Sequence, residues 1–168
     1  MSIISQSYFS SGELTLPIDN ISVQGYIDTH EPIILKKLLG YTLYAEFIAA
    51  LDDTPAQKWI DLRDGETYTD PDGYTQDYEG IQQIIADYVY FAITSDKEST
   101  ATATGMMKSE KENSTSIAPI NKQAWALNDL AERAFYLNGY IVKANEDTED
   151  TYADYVRETQ GKTNFLNI

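Results

Sequence analysis

The chain contains no cysteine. Disulfides, thiolate metal sites and a cysteine nucleophile are therefore excluded. There is a single histidine, His30. That removes a multi-histidine zinc site and makes any histidine-based triad depend on one residue. Basic residues are scarce: 12 Lys+Arg stand against 27 Asp+Glu, a formal charge of −15. So acidic a surface repels phosphate, which argues against ordinary nucleic-acid binding and against docking on anionic lipid. No run approaches the ~18–20 apolar residues of a membrane span. Met1–Ser10 has no basic start and no adequate apolar stretch, so it is not expected to be a secretory signal.

What is present suffices for a core. The 168 residues are 42% hydrophobic, well above the ~70–80 residues at which burying a core becomes difficult. Thirteen tyrosines offer contact area with a polar tip and suit surfaces that other chains touch.

Residues 1–27 show no helical period. Phe9, Leu14, Leu16, Ile18, Ile21 and Val23 sit among Ser, Thr, Gly and Pro, which reads as an extended N-terminal arm. A first helix is signalled at Asp28 or Thr29, with Glu31 placed as in a capping box and Pro32 in the first turn. Leu35, Leu38 and Leu39 form one stripe, and Tyr44, Phe47, Ile48 and Leu51 another. Gly40 between them either ends one short helix or kinks a longer one. Asp52–Pro55 breaks the chain. A short helix over 56–64 carries Trp59 and Leu62, with Gly65 just past its end. Thr and Tyr alternate about Asp70-Pro-Asp-Gly73, predicting a β-hairpin over 66–76.

Ile81, Ile84, Ile85, Tyr88, Val89, Ala92 and Ile93 predict a central helix over about 78–97. Residues 98–118 lack any period and read as a long loop, functional or disordered. Thr100, Thr102 and Thr104 alternate with Ala, so part of it is able to pair as a strand. A third long helix is expected over 119–145, weakened at Gly139 by ~1 kcal/mol against Ala. Residues 146–168 form a tail whose apolar Phe165 and Leu166 have nothing local to bury them. The fold class is thus mainly α: a small helical bundle (28–145) with an inserted hairpin, a long loop and extended N- and C-terminal arms.

Candidate chemistry is sparse. His30 lacks a Gly-x-Ser-x-Gly partner and reads as a polar residue at a helix start. With Gly73 at position 6 of an EF-hand loop, Asp70, Asp72 and Glu79 fall at positions 3, 5 and 12. Position 1 is Tyr68 where a carboxylate is required, so these three are a weak calcium candidate, and a plain turn is the preferred reading. Asp61 with Asp64, and Asp129 with Glu132, lie on single helix faces, as a glycosidase pair would, but nothing in the sequence places them in a groove. Glu-x-x-His and phosphate-loop motifs are absent. No cofactor is expected. Met106 and Met107 suit adaptable contact, with another chain or with the bundle itself.

The order of parts resembles the head–tail connector (neck adaptor) proteins of tailed bacteriophages, as in phages of Bacteroidetes. The resemblance lies in Tyr26-Ile-Asp-Thr-His-Glu-Pro-Ile-Ile-Leu-Lys-Lys-Leu-Leu-Gly40 with Tyr41-Thr-Leu-Tyr44, and in Trp59…Leu62…Gly65-Glu-Thr-Tyr68. It continues in the Ile84–Phe91 helix, Thr102–Gly105 through Lys111–Ser114, and Gln123-Ala-Trp-Ala-Leu-Asn128. It covers most of residues 26–145. It implies a helical protomer without enzymatic activity, assembled as a ring, usually twelvefold, at the head–tail junction of the virion after synthesis in the host cytoplasm. The implied partners are other copies of the chain, the portal, and tail or second connector proteins, with no membrane. DNA would pass through the acidic channel without specific binding. Phe9, Leu14, Leu16, Thr102, Thr104, Met106, Met107, Tyr152, Tyr155, Phe165 and Leu166 are the expected interface residues, because the arms and the loop are the segments left without shelter. Two rival readings are an acidic DNA mimic that occupies a nucleic-acid-binding protein, and a two-carboxylate glycan hydrolase.

Overall fold

A computed structural model describes residues 2–10, 14–16, 22–52, 54–102, 105–108, 119–147 and 151–155. Among these residues the architecture is mainly α: a bundle of four α-helices with an inserted β-hairpin. Helix α1 spans Val23–Leu51, α2 Gln57–Asp64, α3 Ile81–Glu98 and α4 Pro119–Asp147. Strands β1 (Glu66–Thr69) and β2 (Thr75–Tyr78) pair antiparallel, Glu66 opposite Tyr78 and Thr69 opposite Thr75. Strands β3 (Ser99–Thr102) and β4 (Gly105–Lys108) form a second antiparallel pair at the end of α3. The Thr/Ala alternation in the expected loop is thus a strand.

Helix α3 is the axis of the fold. Ile81, Ile84, Ile85, Ala86, Val89, Tyr90 and Ile93 are all buried, and α1, α2 and α4 pack around it. A helix apolar on so wide an arc is stable only when covered on several sides.

Helix α1 begins earlier than its capping box suggests. The Ser22 hydroxyl accepts from the Gly25 amide at 3.3 Å. Val23 and Ile27, both fully buried, extend the stripe of Ile34, Leu35 and Leu38 back by two turns. Burial of those two side chains outweighs the better local start at Asp28. Pro32 consequently lies inside the helix, where it removes one backbone bond. Gly40, with φ 75° and ψ 171°, is non-helical, so two helical segments abut there. Only glycine occupies that conformation without strain.

The hairpin base is closed by two glycines. Gly65 (φ 102°) and Gly80 (φ 90°) approach so closely that a Cβ on the first would meet the carbonyl of Tyr78, and a Cβ on the second that of Arg63. The hairpin lies against α4. Gly139 makes room for this, since a Cβ there would collide with the Tyr68 hydroxyl, which donates to the Tyr136 carbonyl at 3.4 Å. Among the described residues, no helix is long and apolar enough to cross a membrane.

Candidate functional site

Three polar arrangements stand out from this apolar frame. The first is a cleft of about 240 Å³ between the base of the hairpin and α4, lined by Asp77, Glu79, Asp129, Glu132, Arg133 and Tyr136 among others. Arg133 is its centre. Its Nε donates to Glu79 at 2.6 Å and its Nη1 to Asp87 at 2.6 Å, with Asp129 at 4.0 Å. Asp87 belongs to α3, is 1% exposed and lies behind the guanidinium. Burial pushes its carboxyl up to about 7, against the opposing pull of Arg133 and with a further push from Asp129 and Glu79. One arginine divided among three carboxylates does not compensate the desolvation of the buried one. The carboxyl that stays protonated closest to neutrality is therefore screened from the cleft. Asp129 and Glu132 do line the cleft together, but it is smaller than the ~300–1,000 Å³ usual for ligand pockets.

The second arrangement fastens the N-terminal arm. Glu31, 5% exposed, accepts from the amides of Ile3 (3.0 Å) and Ile4 (3.3 Å) and from the Ser2 hydroxyl (2.9 Å). Gln82 of α3 donates to the Ile3 carbonyl at 3.1 Å and accepts from the Tyr8 hydroxyl at 2.8 Å. A turn of 3-10 helix over Gln6–Phe9 carries Phe9 inward, and the Leu16 amide donates back to the Phe9 carbonyl at 3.1 Å.

The third is a column of aromatic rings, Phe47–Trp59–Tyr152–Tyr140–Tyr78, with successive centroids 4.9–6.2 Å apart. Its hydroxyls are satisfied inside: Tyr78 donates to the Leu62 carbonyl at 2.7 Å and Tyr152 to the Lys58 carbonyl at 2.6 Å. Burial raises the pKa of Tyr78, Tyr140 and Tyr152. Asn145 holds the C-terminal segment by its backbone, accepting from the Tyr152 amide at 2.6 Å and donating to the Tyr152 carbonyl at 3.2 Å. Four of the tyrosines (Tyr78, Tyr90, Tyr140 and Tyr152) are thus buried core residues, not surface ones.

These arrangements correct several expected interface residues. Phe9 (0% exposed), Leu16 (5%) and Tyr152 (1%) are buried in the core of their own chain. Leu14 and Tyr155 are half-buried against it. The reason is a set of contacts distant in sequence: Glu31 and Gln82 satisfy the backbone of the arm, and Asn145 that of the C-terminal segment, so apolar side chains of segments without a period of their own fold inward. Thr102 lies in β3 opposite Gly105, and Met106 and Met107 in β4 opposite Ala101 and Thr100. Thr104, Phe165 and Leu166 lie outside the described residues.

The calcium candidate is not assembled. Asp70 Oδ1 accepts from the amides of Asp72 (3.0 Å) and Tyr74 (2.8 Å), and Oδ2 accepts from Gln76 at 2.8 Å. Those bonds, Gln76 foremost, hold its carboxyl below the usual range. Asp72 is at the exposed tip, while Glu79 sits beyond the hairpin base with Arg133. No three metal-ligating side chains converge among the described residues. His30 is not at a helix start but inside α1, stacked on Tyr26 (5.8 Å) and edge-on to Tyr88 (5.8 Å). Burial lowers its pKa against the pull of Asp96.

Sequence reasoning missed Arg133 and Asp87. A signal exists for each: Asp87 is the one acid in the apolar stretch 81–95 of α3, and Arg133 is one of only three arginines, set beside the buried stripe of α4.

With this fold and these sites in hand, comparison with known proteins gives one assignment. The chain belongs to a family of unknown function, DUF6712, which matches it over residues 35–164. No curated protein and no solved structure matches it.

Proposed function

We propose that the protein is a structural component of a virion, a connector protomer that closes into a ring between the portal and the tail and extends the DNA channel. The observation that carries this reading is the pair β3–β4. It is a sheet of two strands, and among the described residues neither strand has a second partner on its outer edge. Open edges are the usual template for strand addition by a neighbouring chain. Exposed aromatics on other elements add contact area, notably Tyr41 on α1 (76% exposed) and Tyr74 at the hairpin tip (69%). Ring closure is heterologous, one patch meeting a different patch on the next copy. Copy number twelve, the portal and a tail or second connector as neighbours, a virion location, and the lack of a catalytic step all follow from the resemblance to phage connectors. The −15 charge suits a channel wall along which DNA slides without being held.

An acidic DNA mimic would carry carboxylates at regular spacing along an exposed face. Helix α4 instead exposes two large aromatic rings, Trp125 and Phe135, 56% and 71% exposed, which speaks for the connector. Mixing the purified chain with isolated portal and imaging the particles tests the proposal. Rings of the chain stacked coaxially on the portal are expected. A chain that stays monomeric beside the portal, and instead captures a nucleic-acid-binding protein, would replace this reading with the rival.

A further inference from the structure

Helix α4 presents two different sides. The side that meets its own bundle is carried by Ala126, Leu130, Ala134, Leu137 and Ile141, all buried. On the other, Trp125, Asn128, Glu132 and Phe135 are spaced three, four and three residues apart. At about 100° per residue these four fall within an arc of about 80°, and their spacing is that of a seam along which two helices meet. All four are exposed, Trp125 by 56% and Phe135 by 71%. A large ring left in water at each end of the seam is apolar area that a partner helix would remove from water.

We infer that this side of α4 docks on the same side of α4 in a second copy of the chain, the two helices running antiparallel. The symmetry of the pattern selects that occupant. Leu130 is its centre: Trp125 and Phe135 lie five residues to either side, Asn128 and Glu132 two residues to either side. A twofold axis at the level of Leu130 therefore sets Trp125 against Phe135 of the second copy, and repeats the pair at the other end. Between the rings each Asn128 faces a Glu132, so an amide N–H is offered to a carboxylate at both positions, a charge-assisted hydrogen bond. A parallel pair would instead set Glu132 against Glu132, like charges in contact. The antiparallel register thus gives every residue of the seam a complement. Four seam residues a side are far fewer than the ~20–30 of a stable complex, so the dimer is weak and forms at high protein concentration. A twofold contact is isologous and does not close a ring, so the inference stands apart from the connector reading.

Sedimentation equilibrium of the full chain tests the contact. It is run at about 0.3 M salt, where the repulsion between two chains of −15 is largely screened. The average mass should rise with concentration towards that of a dimer. Trp125→Ser combined with Phe135→Ser should weaken the association about tenfold or more. The absence of native cysteine permits a test of direction in addition. Asn128→Cys and Glu132→Cys, made separately, are mixed and oxidised mildly. The disulfide between the two variants should form about fivefold faster than the disulfide of either with itself, because antiparallel docking raises the local concentration of that pair. A chain that stays monomeric at every concentration overturns the inference. Association left unchanged by the two serine changes overturns it as well, since it would belong to another surface, such as a ring contact. Preferential disulfides of each variant with itself overturn the antiparallel register.

Discussion

Asp87 and Arg133 form a 2.6 Å ion pair in which the acid is all but sealed, at 1% exposure, and the base is shared with Glu79 and Asp129. The pair joins α3 to α4 across the bundle. It holds a charge that the protein tolerates rather than prefers, because desolvation raises the carboxyl to about 7.

A pH dependence follows. The folded-state pKa of Asp87 lies above its unfolded value, so the folded chain binds the extra proton between roughly pH 4 and pH 7. Its contribution to stability is full below pH 4 and falls as pH rises through 7, with a limiting slope of about 1.4 kcal/mol per pH unit. His30 pulls the opposite way, its pKa being lowered by burial. The difference between Asp87→Asn and the parent therefore isolates the effect. Urea unfolding at pH 5 and pH 8 should show a smaller loss of stability over that interval in Asp87→Asn. Arg133→Ala should cost about 3–5 kcal/mol at pH 8, where the acid is stranded as a charge, and less at pH 5. Parallel pH profiles for parent and Asp87→Asn would refute the assignment.

The arm should come loose when its anchor is changed. Glu31→Gln removes the charge that receives two amides and a hydroxyl. Hydrogen bonds to a charged group contribute about 1.5–3 kcal/mol, so a loss within that range is expected. Amide exchange at Ile3 and Ile4 should accelerate far more than at Ile84 and Ile85 in the middle of α3. Uniform acceleration would mean that Glu31 supports the whole fold rather than the arm.

How much of this was legible in the sequence depends on whether the determinant is local. The α3 stripe, the 66–76 hairpin and the helix from Pro119 are written in periodicity and turn chemistry, and the fold matches them to within a few residues. The start of α1 departs from its local signal because Ser22, Val23 and Ile27 compete with a better local cap, and burial decides between them. From sequence the arm reads as unsheltered, because Glu31 and Gln82, which shelter it, are 28 and 79 residues from Ile3. The Asp87–Arg133 pair, 46 residues apart, is non-local in the same way. Spacing marks each residue as odd, but only the packing of α3 on α4 brings them together.

Gly40 offers a test of backbone strain without a steric component. Nothing lies within 4 Å of a Cβ placed there, yet φ is 75° and ψ 171°. Gly40→Ala should therefore lose about 1–3 kcal/mol from conformation alone. The alternative is that the two segments of α1 fuse into one straight helix, relieving the strain. Thermal unfolding combined with helix content by circular dichroism separates the cases: lower stability at unchanged helicity is expected. Higher helicity with no loss of stability would show that the break is not required for packing.

Gly139 tests the contact between hairpin and bundle. In an exposed helix interior Gly→Ala is worth about 1 kcal/mol in favour of Ala. Here the new methyl would strike the Tyr68 hydroxyl, and the ring carbon beneath it lies 3.3 Å away. Gly139→Ala alone should be destabilising, by about 1–3 kcal/mol as for an overpacked site. Tyr68→Phe alone should cost less than about 1 kcal/mol, because it gives up only the bond to the Tyr136 carbonyl, long at 3.4 Å. The double variant should recover most of the Gly139→Ala loss, since the hydroxyl is gone and the alanine then contributes its helix preference. A double-mutant cycle by urea unfolding checks this, with a coupling of about 1 kcal/mol or more expected between residues in contact. Strict additivity would mean that Tyr68 swings clear of α4 at little cost, and that the glycine is not what seats the hairpin.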